Sequence, residues 1–295
     1  MKRRRSAKKR LAVERERTKA GVALNPSPFR ALDGIMRRLA ALLLQCLALE
    51  VGAGEGPVEV HQVLDLPSAG TDKVVAMTLD ACGGGFDRDL IQLLIDHRVP
   101  ATIFATKRWL DHNPSGLALI KAHSDLFEVE DHGARHVPAV IGMDRRVYGI
   151  LGHPDIAHLQ AEVIGGAEAV GKATGVAPRW YRAATAEYDP EALAAIADMG
   201  FKVAGFSLNV DDGATLDKEA IVIRMRRIKR GDILIAHMNR PNSDTAEALA
   251  EILPSLLEQG YRFVKLGEFG VRPTTSGRTA RIKGNKPLSR ATPDG

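Results

Sequence analysis

Cysteine is scarce: the 295 residues hold two, Cys46 and Cys82. That scarcity excludes a fold stapled by several disulfides, so the chain must rest on a buried core. No repeat at a solenoid period is visible, which removes stacked-repeat architectures. Excess basic charge is also missing from most of the chain. Residues 1–38 hold thirteen Lys/Arg against three Asp/Glu, so the formal net of +5 hides a body that is net −5. A body of that charge has no nucleic-acid footprint, and no nucleic-acid partner is expected. What remains is 45% hydrophobic content, enough for one sizeable core of the kind a single barrel of about 200–250 residues would use.

The N-terminal segment changes character at "MRRLAALLLQCLALEVGAGEG", residues 36–56. Two arginines, eleven mostly apolar residues from Leu39 to Leu49 and then small residues follow the order of a secretory signal, with Val51-Gly52-Ala53 as cleavage site. As a helix the apolar run rises only about 16 Å, too short for a ~30 Å hydrocarbon core. An amphipathic helix on a soluble protein is the alternative. Gln45 stands where a lipid-attachment box needs a small residue, which argues against lipidation at Cys46. The expected organisation is a basic extension over 1–35 with Met36 an alternative initiator, a signal over 36–53, a linker over 54–71, a folded domain over 72–271 and a disordered tail over 272–295. Export to the periplasm or medium follows, without stable membrane insertion after cleavage, and Cys82 is then the sole remaining thiol.

Between 72 and 271, apolar strand-like runs appear at 73–80, 101–106, 126–130, 179–183, 201–208, 232–237 and 261–266. Helical patterns separate most of them, with start signals at Asn113-Pro114, Asp189-Pro190 and Asp217, and a further helix between Ser243 and Gly260. Such alternation predicts a parallel sheet or a (β/α) barrel, whose chemistry gathers at the C-terminal ends of the strands. At those ends stand Asp80, His132 with His136, Arg182, Asp211 with Asp212, and His237.

His132 and His136 are four apart, which on a helical turn would put both rings on one side to share a divalent ion such as zinc. Gly133 occupies the place where a zincin needs glutamate. Asp80 at a neighbouring strand end would complete a two-nitrogen, one-carboxylate set with a position open for water.

The segments "VAMTLDACGG", "ATIFATKRWL", "FEVEDHGARHVP", "WYRAATAEYD", "GDILIAHMN" and "LLEQGYRFVKLGE", in this order, resemble the polysaccharide deacetylase (NodB-homology) family, carbohydrate esterase family four, over roughly residues 72–268. The resemblance implies a distorted (β/α) barrel of about seven strands carrying a divalent metal, most simply Zn2+, that hydrolyses acetyl amides or esters of glycans through metal-activated water. It further implies Asp80 as general base, His132 and His136 as metal ligands, Arg182 orienting the base, Asp211 or Asp212 polarising His237, and His237 as general acid. An acetylated glycan is the implied partner, and oligomeric state stays open.

The sequence departs from the family where Ala81 replaces the second aspartate, a metal ligand. The expectation is then that Asp80 itself faces the metal, directly or through its water, with water or Cys82 filling the vacancy; a buried structural Cys82 is the other reading. Gly83 to Gly85 would let a sugar approach the backbone or form a flexible turn. Trp180 would fill core or stack on a sugar, and His97, His112, His123, His153 and His158 are expected to be solvated. Two other functions fit the pattern: a small-molecule amidohydrolase on the same scaffold, or a barrel that binds glycan without catalysis.

Overall fold

The structure is a computed structural model and describes residues 56–274. The expected basic extension, the signal and nearly all of the expected tail lie outside the described residues. In chain order the elements are β1 (Val58–Glu59), β2 (Gln62–Leu64), β3 (Lys73–Ala81), α1 (Arg88–Asp96), β4 (Ala101–Ala105), α2 (Lys107–His112), α3 (Pro114–Ala122) and β5 (Phe127–Asp131). Then come β6 (Pro138–Ala139), the hairpin β7 (Arg146–Val147) and β8 (Ile150–Leu151), α4 (Ile156–Thr174), β9 (Trp180–Tyr181), β10 (Ala184–Tyr188) and α5 (Pro190–Asp198). β11 (Lys202–Val203), β12 (Leu208–Asn209), α6 (Lys218–Met225), β13 (Ile233–His237), α7 (Thr245–Glu258), β14 (Tyr261–Val264) and β15 (Val271–Pro273) complete the domain.

Eight strands form one parallel sheet in the order β11-β9-β5-β4-β3-β13-β12, with β14 beside the first half of β3. Its two ends, β11 and β12, are neighbours in the chain. Lys202 and Ala204 donate their N–H groups to the carbonyls of Arg179 and Tyr181, whereas Ser207 and Val210 donate to Ile233 and Ile235. One interrupted strand over 202–209 therefore serves both edges and curls the sheet into a distorted barrel, which also removes the exposed edges an open sheet would present. The expected run 201–208 is this strand, split where it changes partner.

Side-chain alternation divides the core in two. From β3, Val75, Met77, Leu79 and Ala81 pack outward with Leu90, Leu94, Leu249 and Leu253 of the helical layer. Val74 and Ala76 point the other way, into the barrel with Phe104, Trp180, Phe206 and Ile235. Asp80 lies on this inward face at the last turn of the strand. Burying so continuous a run on both faces requires the helices that the alternating sequence pattern predicts.

Helix starts follow the capping residues. Asp87, Thr106, Asp155, Asp189 and Asp217 each accept a backbone N–H three residues on, at 2.7–2.9 Å, each worth about 1 kcal/mol. Asn113 precedes Pro114 at the start of α3 without a side-chain cap, and the last long helix starts after Asp244, one residue beyond the expected Ser243.

Two expected boundaries shift. Residues 54–71 are more than a linker, because β1 pairs antiparallel with β10, β2 pairs with β15, and His61 bridges to Phe206. Arg272 and Pro273, expected in the disordered tail, belong to β15. These strands are two or three residues long and carry little pattern of their own.

Candidate active site

Register assembles the centre. β3 and β13 run parallel with Asp80 directly opposite His237, and β4 and β5 end level with them at Ala105 and Asp131. The chain leaves β5 and β9 one residue later, so His132 and Arg182 enter the same rim, where the Arg182 N–H donates to the Asp131 carbonyl at 2.9 Å.

Arg182 is fully buried and fully engaged. Its Nη1 donates to Asp80 Oδ1 at 2.7 Å and to Thr78 Oγ1 at 2.9 Å, while Nε and Nη2 donate to the carbonyls of Ala204 and Gly205, both at 3.2 Å. The guanidinium also lies 4.2 Å from the Phe104 ring centroid, an arrangement that only a planar, delocalised cation permits. Burial raises the Asp80 carboxyl, but the positive charges of Arg182, His132 and His237 outweigh it and hold the group below the usual aspartate range. Asp80 is thus an ionised carboxylate with one oxygen clamped and the other, Oδ2, 3.6 Å from His132 Nε2.

His237 is tied to Asp211 by Nδ1 at 2.8 Å and by its backbone N–H at 2.7 Å, and Thr245 Oγ1 donates to the same buried carboxylate. Burial works against a charged ring here. The Asp211 hydrogen bond and the neighbouring Cys82 outweigh it, leaving His237 well above the ordinary histidine range, a proton donor at neutral pH. Of the two aspartates, Asp211 is the partner, whereas Asp212 is exposed and accepts nothing from the ring.

His132 and His136 come together, but without a helical turn. The residues between them form a loop in which Gly133 has φ +83° and His136 has φ +69°, and the ring centroids are 4.8 Å apart. One buried carboxylate explains the left-handed backbone. Glu162 Oε1, from α4, accepts the backbone N–H groups of Arg135 and His136 at 2.8 Å and of Val137 at 3.3 Å, and Arg135 Nε bonds its Oε2 at 3.2 Å. A Cβ on Gly133 would fall 2.5 Å from that oxygen, so only glycine fits. Sequence reasoning missed Glu162; its sole signal was an acid on the otherwise ordinary helix that follows the histidine pair.

Cys82 follows the end of β3 directly, while Ala81 before it is buried in the outer core. Its Sγ is 3.4 Å from His132 Nε2, and the donor atoms of Cys82, His132 and His136 all lie within 4.8 Å of one another. Burial raises the thiol, yet the surrounding histidines, His132 foremost, bring it well below the usual cysteine range. His132 is disfavoured in its charged form by burial but is lifted to about 9 by Asp80 and Cys82.

Of its two expected roles Trp180 takes the first, filling core inside the barrel, and its neighbours Tyr181 and Tyr188 are fully enclosed. The Tyr188 hydroxyl accepts the Ala183 N–H at 2.9 Å, bracing the segment after Arg182. His153, expected to be solvated, is 1% exposed. The glycine run packs against protein rather than leaving space for ligand: a Cβ on Gly84, at φ +80°, would lie 2.9 Å from the Asn239 carbonyl, and the Gly85 N–H donates to that same oxygen.

Comparison with known proteins agrees with this architecture. The polysaccharide deacetylase family model matches residues 68–204. Among solved structures, a mutant of BA3943, described as a carbohydrate esterase family four pseudoenzyme with restored enzymatic activity, is 24% identical over 68% of each chain, with a TM-score of 0.55; its wild type is from Bacillus anthracis. PdaA of Bacillus subtilis, a family four carbohydrate esterase, is 22% identical over 72% of this chain and 84% of its own, with a TM-score of 0.56. The Bc1960 peptidoglycan N-acetylglucosamine deacetylase is 20% identical over 68% and 88%, with a TM-score of 0.57. At these identities the likeness is one of fold. No curated protein matches. The polysaccharide deacetylase family model thus spans residues 68–204 of this chain, and the likeness of fold to the solved structures extends over 68–72% of it.

Proposed function

We propose that the protein is a metal-dependent hydrolase that removes acetyl groups from an acetylated polysaccharide. The observation that carries this reading is geometric: Asp80 and His237 stand opposite each other in the β3–β13 ladder, with Asp80 Oδ2 3.6 Å from His132 Nε2, a member of the cluster of three donors.

The donors suit a divalent ion. His132 Nδ1 is engaged by the Arg182 carbonyl at 2.6 Å, which directs Nε2 into the cluster, the arrangement that metal-binding histidines use. His132 and His136 would hold the ion. Once bound, it supplies Lewis acidity, polarising an acyl carbonyl and lowering the pKa of water beside it.

The chain's own groups divide the proton transfers. Asp80 accepts the proton of the attacking water through Oδ2, since Oδ1 is fixed by Arg182. Arg182 keeps that carboxylate ionised and oriented. His237 donates a proton to the departing amine or alkoxide, and Asp211 holds its ring so that Nε2 carries the proton outward. Both acetyl amides and acetyl esters react through such a tetrahedral intermediate, so either linkage is accommodated. A polymeric substrate of this kind lies outside the cytoplasm, in keeping with the signal-like segment at 36–53; among the described residues no helix is long and apolar enough to cross a membrane.

A second reading has one observation in its favour. Ala81 replaces a metal-binding carboxylate, and a protein of the same fold is described as a pseudoenzyme, so a barrel that binds glycan without cleaving it is the rival. Acetate release by the zinc-supplemented protein from N-acetylglucosamine oligomers, peptidoglycan and acetylated xylan separates the two. Release from at least one supports the hydrolase; glycan binding with no release from any supports the rival.

A further inference from the structure

We propose that Cys82 is the third protein donor of the metal centre, forming a sulfur-nitrogen-nitrogen set with His132 and His136 and leaving Asp80 free as the base. The inference deepens the hydrolase reading, on which it rests for the role of the ion but not for the donor set.

Three observations carry it. First, the side chains on either side of position 81 face the centre. Asp80 closes the inward face of β3 and Cys82, just past its end, brings Sγ to 3.4 Å from His132 Nε2, whereas Ala81 belongs to the outer core with Leu79, Leu90 and Ala105. Position 81 has no path to the histidines in this chain, so the vacated ligand role falls to its neighbour. Second, the backbone at Cys82 is fixed. Thr106 Oγ1 donates to the Cys82 carbonyl at 2.9 Å, and the Thr106 N–H donates to Ala81 at 3.2 Å. Third, the distances suit coordination. Zinc–sulfur and zinc–nitrogen bonds of about 2.3 and 2.05 Å at a tetrahedral angle place the two donors about 3.6 Å apart; Cys82 Sγ and His132 Nε2 stand at 3.4 Å.

Asp80 is the competitor for this role. One of its oxygens is committed to Arg182 at 2.7 Å, and the other lies 3.6 Å from the His132 nitrogen that faces the ion. A carboxylate so clamped is well placed to take a proton and poorly placed to move onto a metal. A thiolate preserves the charge balance of the missing aspartate, one negative donor with two neutral imidazoles. It also makes the site softer, favouring zinc or cobalt over magnesium or calcium.

Cobalt(II) reports directly on sulfur ligation through sulfur-to-cobalt charge-transfer absorption in the near ultraviolet. The full chain carrying Cys46→Ser, stripped with a chelator under reducing conditions and titrated with cobalt alone, is expected to show that band with one equivalent bound. Adding Cys82→Ser should abolish the band and weaken binding by at least the roughly 10- to 100-fold that losing even an outer partner of a metal ligand costs. Cys82→Asp should bind cobalt without the band. Thermal unfolding confirms that each variant is folded, and the band in the Cys82-containing protein decides the matter even if a variant is not. Cobalt binding without a charge-transfer band, or no cobalt binding at all, overturns the proposal. Acetate release is read separately: a band without hydrolysis keeps the donor set and removes the reaction, whereas hydrolysis without a band does the reverse.

Discussion

The two halves of the site are built in different ways. Asp80 and His237 sit on paired strands of the barrel, held by ladder register; the Arg182 side chain ties Asp80 to Thr78 and the carbonyls of Ala204 and Gly205, and Asp211 holds His237. His136 sits on a loop whose left-handed backbone depends on one carboxylate, Glu162, reaching in from a helix 26 residues away. The proton-transfer half is therefore part of the fold's core, and the half proposed to hold metal depends at His136 on that single carboxylate. Damage to the first should unfold the protein, and damage to the second should release the ion first.

Arg182→Met tests the first half and should have the largest effect. It leaves the buried Asp80 carboxylate without its hydrogen-bonded cation and the carbonyls of Ala204 and Gly205 without their donor. Breaking one partner of such a pair costs about 3–5 kcal/mol, read as a fall in the urea midpoint. Glu162→Ala should cost less, about 1–3 kcal/mol for backbone N–H groups left unsatisfied, yet lower cobalt retention disproportionately. Glu162→Gln, which keeps an acceptor oxygen, should recover most of that retention. A Glu162→Ala protein that loses stability as Arg182→Met does while holding cobalt normally would erase the distinction between the halves.

A control away from both halves should give the smallest effect. His61 accompanies β1 and β2, and its hydrogen bond to Glu59 at 2.8 Å raises its pKa despite partial burial. With the folded pKa above the unfolded one, the pair's contribution is complete below about pH 6.5 and fades as pH rises through the raised value. Both side chains are 34% exposed, so Glu59→Gln should cost under about 1 kcal/mol in mildly acidic solution. The loss should vanish in alkaline solution, where thermal unfolding of variant and parent should coincide.

Much of this was readable in the sequence, and physics separates what was from what was not. Strands buried on both faces leave long apolar runs, so all seven runs correspond to strands, and the residues closing them, Asp80 and His237, stood out as polar groups ending apolar segments. The split of 201–208 was hidden because a change of hydrogen-bond partner leaves side chains unaltered. The histidine pair was visible, but spacing of four is shared by a helical turn and a left-handed loop. Only Gly133 separated them, and its reason, the oxygen of Glu162, is remote in sequence. Cys82 was visible as a candidate; that Ala81 faces the outer core follows from alternation along β3.

Leaving-group dependence tests the division of labour between Asp80 and His237 most directly. Acetate release is measured for His237→Ala and Asp80→Asn on an N-acetylated glycan oligomer and on 4-nitrophenyl acetate, whose leaving group needs no proton. The account predicts that His237→Ala loses about 10²- to 10⁴-fold on the glycan and little on the activated ester, while Asp80→Asn loses activity on both. Equal losses on both substrates for His237→Ala, or full activity of Asp80→Asn on the glycan, would contradict it.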